Sequence, residues 1–213
     1  MKPLILSVDT THEYGSIALS GEVVPLHSPS GFAHVIYRHI RELLDRRGVR
    51  LDQIHCFAGA SGPGSFTGVR VGLACIKGLA EAAGKPAVAV SNLEALAIFG
   101  TAPLRAVLLD ARRGEIYGAV YDAAGRLVVP ETVGKLPEWL ASLPSGELEF
   151  ISADFAAFSD ALPAAPRVTA PRALAGAVAR IAAVRLARAE ACDPAALDAN
   201  YVRRSDAELL WRE

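Results

Sequence analysis

Few side chains in this sequence could do chemistry, and most of those that could stand at glycine-rich or acidic bends. The run Ala60-Ser61-Gly62-Pro63-Gly64-Ser65-Phe66-Thr67-Gly68-Val69-Arg70-Val71-Gly72 closes an apolar stretch and opens a long, nearly uncharged helical pattern, so it reads as strand, tight turn and helix. Gly62 and Gly64 permit backbone angles closed to other residues, and Pro63 stiffens the turn. Ser65 or Thr67 can cap the first free N–H groups of the helix. Such a turn can cradle an anion. Its spacing nevertheless fits neither Gly-x4-Gly-Lys-Ser/Thr nor Gly-x-Gly-x-x-Gly, because position 67 is Thr, so a structural turn is the better fit. Asp9-Thr10-Thr11 and Asp110 are the other candidates. Each Asp ends an apolar run, where its carboxylate can bond nearby turn N–H groups or face a phosphate and its magnesium.

Other chemistries find no residue set. His12, His27, His34, His39 and His55 form no His-Glu-x-x-His motif. His34 and His39 are five apart on one helical pattern, turned about 140° from each other, whereas a metal pair needs i,i+3 or i,i+4 spacing. Cys56, Cys75 and Cys192 are odd in number and far apart, with no Cys-x-x-Cys, which argues against a disulfide framework or zinc cluster and for a reducing, cytoplasmic setting.

These residues must be positioned by alternating strands and helices. Apolar runs at 4–9, 14–20 and on to 27 predict a hairpin meander. Residues 32–47 predict an amphipathic helix with Ile36, Ile40, Leu43 and Leu44 on one face and Gly48 as its stop. A buried strand at 54–60 leads into the glycine turn, and the helix after it runs to residue 83 before Gly84-Lys85-Pro86. A strand at 87–90, a helix at 93–99 and strands at 105–110 and 116–122 follow, which gives a partly parallel sheet with crossover helices. Prolines at 130, 137, 144, 163, 166 and 171 then break the chain into short pieces, with a strand at 149–152 and an Ala-rich helix at 172–191. A weak repeat joins the two ends of this pattern. Leu6-Ser7-Val8-Asp9 followed by Tyr14-Gly15-Ser16-Ile17-Ala18 resembles Val107-Leu108-Leu109-Asp110 followed by Tyr117-Gly118-Ala119-Val120.

The chain is long enough, at 213 residues and 52% hydrophobic, to bury a sizeable core or two smaller ones. A formal charge of -1 gives no global field for nucleic acid, and the Arg46/Arg47/Arg50, Arg112/Arg113 and Arg203/Arg204 groups read as solvated faces. The apolar run before Asp9 is too short for a signal-peptide core or membrane span. The second helix carries only Arg70, Lys77 and Glu81 as charges. Its small or apolar residues exceed what one sheet can cover, so a further partner is expected there.

The duplicated hairpin with an acidic bend resembles the actin and sugar-kinase (ASKHA) plan: an α/β fold of two lobes with mixed sheets and crossover helices, here divided as 1–103 and a smaller 104–213. Asp9-Thr10-Thr11, the Gly-Pro-Gly-Ser-Phe-Thr-Gly-Val-Arg run, Asp110-Ala111-Arg112-Arg113-Gly114-Glu115-Ile116-Tyr117 and Tyr201-Val202-Arg203 together resemble the TsaB (YeaZ) family over nearly the whole length. That resemblance implies a non-catalytic subunit in bacterial synthesis of tRNA threonylcarbamoyladenosine. It would pair with the metal-carrying transferase TsaD and be joined by the ATPase TsaE, with tRNA reached only through the complex and a homodimer formed in isolation. It also implies no intrinsic cofactor, no metal, ATP held at most weakly or within the complex, and no membrane association. Asp9, Thr10, Thr11, Gly62, Gly64 and Asp110 are its weak nucleotide-site candidates, and Ile36, Ile40, Val71, Gly72, Cys75 and Gly78 its expected partner interface. Where TsaD has His-x-x-x-His, this chain aligns Asn92 and Leu96, and Leu cannot bind a metal. The competing reading is an enzyme, either a kinase-like ATPase using Asp9 and Asp110 or a glycoprotease-type metallopeptidase. No late Gly-Gly segment to hold an adenosine supports the first, and no ligand set supports the second.

Overall fold

The computed structural model describes residues 2–19, 21–158 and 160–203. Ser20, expected to close the second strand, and Arg204, expected on a solvated face, lie outside the described residues. The chain forms two compact units, one of Met1–Asn92 and Arg172–Asn200, the other of Leu93–Pro171 with residues 201–203.

In the first unit, β1 (Ile5–Asp9), β2 (Tyr14–Leu19) and β3 (Glu22–His27) make the expected meander, followed by α1 (Ile36–Arg47), β4 (Cys56–Ala60), α2 (Phe66–Ala83) and β5 (Ala87–Val90). The sheet order is β3-β2-β1-β4-β5, antiparallel across the meander and parallel from β1 to β5. β1 and β4 are buried at every position, as central strands covered on both faces are, and β1 carries Ser7 and Asp9 into that buried layer. The outer strand β3 carries Pro25, which a sheet edge tolerates because no ladder hydrogen bond is lost there. α1 starts at Ile36 rather than at residue 32, with no side chain capping its first turn, while Phe32 is buried against Gly15. Gly48 and Gly84 end α1 and α2 in the left-handed conformation that glycine favours.

The short helix α3 (Asn92–Ala97) begins at the last residue of the first unit. The second unit contains β6 (Leu104–Arg112), β7 (Glu115–Asp122), β8 (Leu127–Lys135), α4 (Leu136–Ala141), β9 (Leu148–Ser152) and β10 (Arg167–Thr169). Its order, β8-β7-β6-β9-β10, reproduces that of the first unit strand for strand, again with three antiparallel and then parallel neighbours. This is the duplicated ASKHA-type topology the repeat predicts. The second copy is reduced: α4 stands where α1 does, but the described residues between β9 and β10 hold no counterpart of α2. The sequence pattern did not predict β8, α4 or β10. Pro130 lies inside the edge strand β8, Pro137 occupies the first turn of α4 where its missing N–H costs nothing, and β10 is three residues long. Glu149 on β9 is buried, and its Oε1 accepts the Ala102 N–H at 2.8 Å and also that of Thr101, which ties down the loop before β6.

The observed division differs from 1–103 and 104–213 because α5 (Ala175–Ala187) returns to the first unit. Buried serines explain the return. Ser16 Oγ accepts the Ala175 N–H at 2.9 Å, and Ser7 Oγ donates to the Ala175 carbonyl at 2.7 Å. A side chain at Gly176 would stand 2.7 Å from Val23, so the small residues opening α5 let it lie close on the sheet.

Three glycines of the Gly-Pro-Gly run and α2, Gly64, Gly68 and Gly72, face Thr10 and Thr11. An added Cβ would lie 2.7 Å from the Thr11 carbonyl oxygen at Gly64 and 2.5 Å from Thr10 Oγ1 at Gly72, and would collide with the Thr10 carbonyl oxygen at Gly68. Gly78 meets nothing within 4 Å. Gly68→Ala is therefore expected to destabilise the protein by roughly 1–3 kcal/mol or more in urea unfolding, through overpacking against rigid backbone. Gly78→Ala, in an exposed helix interior, is expected to stabilise it by about 0.5–1 kcal/mol.

Candidate functional site

The bend after β1 and the glycine turn after β4 meet in one hydrogen-bonded network. Asp9 is 1% exposed, and its Oδ1 accepts the Thr11 N–H at 3.0 Å and the Thr11 hydroxyl at 2.6 Å. Thr11 Oγ1 in turn accepts from Asn92 Nδ2 at 2.7 Å, and Asn92 Oδ1 accepts the Gly62 N–H at 3.0 Å. The Asn92 N–H returns to the Gly62 carbonyl at 2.8 Å. Thr10 donates its hydroxyl to the Gly68 carbonyl at 2.7 Å, and the Ser65 N–H reaches the Thr11 carbonyl at 2.7 Å. Ser65 caps α2 by accepting the Gly68 N–H at 3.2 Å, which resolves the choice between Ser65 and Thr67.

Several donors of the turn are used by the chain itself. The N–H groups of Ser61, Gly62, Ser65, Gly68 and Val69 are all committed within the first unit, the first to the Val90 carbonyl and the last to the Ser65 carbonyl. A phosphate cradle needs several such donors aimed outward. The glycine row, for its part, packs closely on the chain's own Thr10 and Thr11. Asp9 Oδ2 is buried and has no hydrogen-bond partner among the described residues. Asp9, Thr11 and Gly62 are thus joined through Asn92, whose linking role the sequence did not signal beyond its place at the end of a parallel strand, while Gly64 packs on Thr11.

The residues present do not fit a metal centre of the transferase type. Asn92 spends its amide on Gly62 and Thr11, Leu96 is fully buried and apolar, and among the described residues no three His, Cys, Asp or Glu side chains form a ligand group. Of the histidines, His55 Nδ1 accepts the Leu4 N–H at 3.1 Å, His27 stacks on Tyr14, and His39 lies 3.5 Å from Glu42.

Asp110 holds the equivalent place in the second unit, at the bulged end of β6, but is partly exposed. Its Oδ1 accepts the Arg112 N–H at 2.8 Å and its Oδ2 lies 3.5 Å from the Arg112 guanidinium, beside an open pocket of about 330 Å³ floored by Ile116, Leu136 and Phe158. Arg112 and Arg113 both take positive φ, 64° and 57°, as the bend turns into β7. Arg203 is not on a solvated face. Its guanidinium donates to the Ala111 carbonyl at 2.8 Å, pairs with Glu115 and lies over the Tyr117 ring, so the Tyr-Val-Arg segment clamps this hairpin.

The expected interface residues divide into two groups. Ile36, Ile40 and Cys75 are buried in the core of the first unit, and Gly72 faces Thr10, so none of these four presents a surface. The side of α2 expected to lie beyond the sheet's reach is partly turned inward, Gly72 onto Thr10 and Cys75 into the core. The open face of α2 is instead Thr67, Arg70, Ala74 and Gly78, with Val71 half-buried beside it. Arg70 stacks on the exposed Phe66 ring at 3.7 Å at one end of this face. From α1, Tyr37 is 55% exposed, and its hydroxyl donates to the Cys75 sulfur beneath it. A groove of about 300 Å³ continues the face between α1 and Leu51, with Leu44 and Leu79 on its walls.

The family model described as "TsaD: tRNA N6-adenosine threonylcarbamoyltransferase" matches residues 5–208. The tRNA threonylcarbamoyladenosine biosynthesis protein TsaB of Haemophilus influenzae is 35% identical over 143 residues, 63% of this chain and 59% of that protein. Its counterpart from Escherichia coli is 37% identical over 127 residues, 55% of this chain and 54% of that one. A crystal structure described as an uncharacterized protein with similarity to peptidase YEAZ from Pseudomonas aeruginosa superposes with a TM-score of 0.81 at 29% identity, covering 94% of this chain and all of that one. The chain belongs to the TsaB/YeaZ branch of the TsaD family. The matched stretch spans little more than half the length of these two curated members.

Burial pushes the Cys56 thiol up to about 11, with Cys192 nearby adding to the shift, and pushes Cys75 to about 11 against the opposing Tyr37 hydrogen bond. Both thiols are therefore expected to resist alkylation of the native protein at pH 8, as read by mass spectrometry, while urea exposes them. Because the folded-state values lie above the unfolded ones, the unfolded chain loses these protons first. The thiols' contribution to stability is then constant below about pH 8 and is lost as pH rises from about 9 towards 11, measured by urea titration at each pH in that range.

Proposed function

We propose that this chain is a non-catalytic partner subunit in the synthesis of threonylcarbamoyladenosine in tRNA, and that it seats a TsaD-type transferase on the open face of α1 and α2. The observation that carries the reading is the state of the family motif: its glycine row packs on Thr10 and Thr11, and the N–H groups of Ser61, Gly62, Ser65, Gly68 and Val69 are bonded inside the first unit. A loop used in this way supports a scaffold better than a nucleotide or acyl-transfer site. The curated names of the relatives, which place TsaB in threonylcarbamoyladenosine biosynthesis, support the pathway. Residues Asn92 and Leu96, in place of metal-binding histidines, support the absence of transferase chemistry in this subunit.

In this proposal the chain holds no cofactor of its own, and ATP is handled by a TsaE-type ATPase that joins the pair. The tRNA reaches the pair through the transferase, in keeping with a formal charge of -1. The open face of α2 is small and only lightly charged around Ala74 and Gly78, so in the absence of the transferase it suits a second copy of this chain. A cytoplasmic setting fits the three free cysteines, and no described helix is long and apolar enough to cross a membrane.

Two measurements test the reading. Depletion of the chain in a host without a second copy is expected to abolish threonylcarbamoyladenosine in nucleosides from total tRNA, read by mass spectrometry, with the transferase and ATPase still present. Unchanged levels would overturn the assignment. Ala74→Glu places a charge on the open face without entering the core, and is expected to weaken association with the transferase by roughly a few kcal/mol in titration calorimetry while leaving the circular dichroism unchanged. Full affinity in that variant would remove α2 from the interface.

A further inference from the structure

Two helices of the first unit treat charge differently. On α1, Arg38 lies 3.9 Å from Glu42 and Arg41 lies 3.8 Å from Asp45, while Arg46 and Arg47 both reach Glu22, so its cations are offset where they stand. The segment that carries α5 has no such compensation. From Arg172 to Ala189 it holds four arginines and no Asp or Glu. Two of the four are engaged within the unit: Arg172 lies 4.9 Å over the Tyr14 ring, and Arg185 donates to the Ala89 carbonyl at 2.7 Å. Arg180 and Arg188 are exposed and have no ion-pair partner among the described residues.

Both stand on the side of α5 turned away from the sheet. Val178 and Ala182 are buried, whereas Arg180, Val184 and Arg188, at i, i+4 and i+8, are all exposed. A rise of 1.5 Å per residue sets the two arginine positions about 12 Å apart. Ala183 and Ala187 keep the surface between them shallow. Helix stability does not account for the pattern. A cation is favoured at the C-terminal end, where Arg188 stands, but gains little from the helix dipole at Arg180 in mid-helix and is disfavoured just before the first turn, where Arg172 stands. A protein partner is a poorer fit than a polyanion, because the core of a protein interface is built from large apolar or aromatic anchors, and Val184 is the sole large apolar side chain of α5 among the exposed ones.

We propose that the outward face of α5 is a phosphate-contact surface for folded RNA, with Arg180 and Arg188 each taking a backbone phosphate of the tRNA. The proposal rests on the reading of this chain as a subunit in tRNA modification, and it adds an RNA contact on the subunit itself. The guanidinium is a planar fork that bonds phosphate through two N–H groups, and such contacts fix position without reading bases. A formal charge of -1 does not oppose this, since a phosphate senses the charges within about 8 Å, and beside Arg180 these are unopposed.

The complex reconstituted from this chain, a TsaD-type transferase, a TsaE-type ATPase and tRNA tests the proposal, with tRNA affinity read by fluorescence anisotropy between about 50 and 200 mM salt. In Arg180→Gln/Arg188→Gln the affinity is expected to fall roughly tenfold to thirtyfold near 0.15 M salt, and the slope of log affinity against log salt to drop by about 1.4 to 1.8, as for two lost phosphate contacts. Arg126→Gln/Lys135→Gln makes the same charge change at exposed positions of the second unit and is expected to leave both unchanged. An unaltered slope in the α5 variant, or an equal drop in this control, would overturn the proposal. A photo-crosslinking amino acid at Val184, with both arginines in place, is expected to capture tRNA. Capture of the transferase, the ATPase or a second copy of this chain instead, or of nothing, would also overturn it. Titration calorimetry against the transferase separates the two failures: a chain that binds no transferase loses the partner reading and this inference together, whereas one that binds it normally and fails at α5 loses this inference alone.

Discussion

The first unit depends on one close approach, the backbone of Thr10 and Thr11 against the glycine-lined edge of the turn and α2. No residue with a side chain fits at Gly64, Gly68 or Gly72, because each faces a backbone or hydroxyl oxygen at or inside van der Waals distance. The approach brings the Ser65 N–H to the Thr11 carbonyl and the Thr10 hydroxyl to the Gly68 carbonyl. It therefore fixes the start of α2, the bend after β1 and the orientation of Asp9 together. The spacing of these glycines therefore carries the imprint of the bend after β1 that packs on them.

Much of this fold was legible from apolar periodicity and turn residues. The strands of the first unit, the span and stop of α2, and the hairpin repeat at Asp9 and Asp110 all appear as expected, because each is a local pattern bounded by Gly or Asp. The second unit was less legible. A Pro inside β8 and another in the first turn of α4 look like breakers until the edge position and helix start that tolerate them are known. Nor could periodicity place α5 in the first unit, since that choice rests on Ser7 and Ser16, buried polar residues whose partner is more than 150 positions away.

The site was legible in part, for the same reason. Asp9, Thr11 and Gly62 lie on one hydrogen-bond chain, and Asn92, which links Thr11 to Gly62, has no motif of its own. At the helices the sequence showed an excess of small and apolar residues without showing which ones the sheet consumes. The buried side took Ile36, Ile40, Gly72 and Cys75, leaving Ala74, Gly78 and half-buried Val71 with the exposed Tyr37 ring. The excess was real, and its direction was a property of packing.

Pro25 and Pro130 occupy matching edge strands, β3 and β8, in the two copies of the repeat. Each removes one N–H from a row that would otherwise template a further strand. At the opposite edges, β5 is closed by a bridge to Cys192 and β10 is only three residues long. Neither sheet can readily grow sideways, so this chain is guarded against fibrillar stacking and runaway polymerisation at every margin where a duplicated β architecture would invite them.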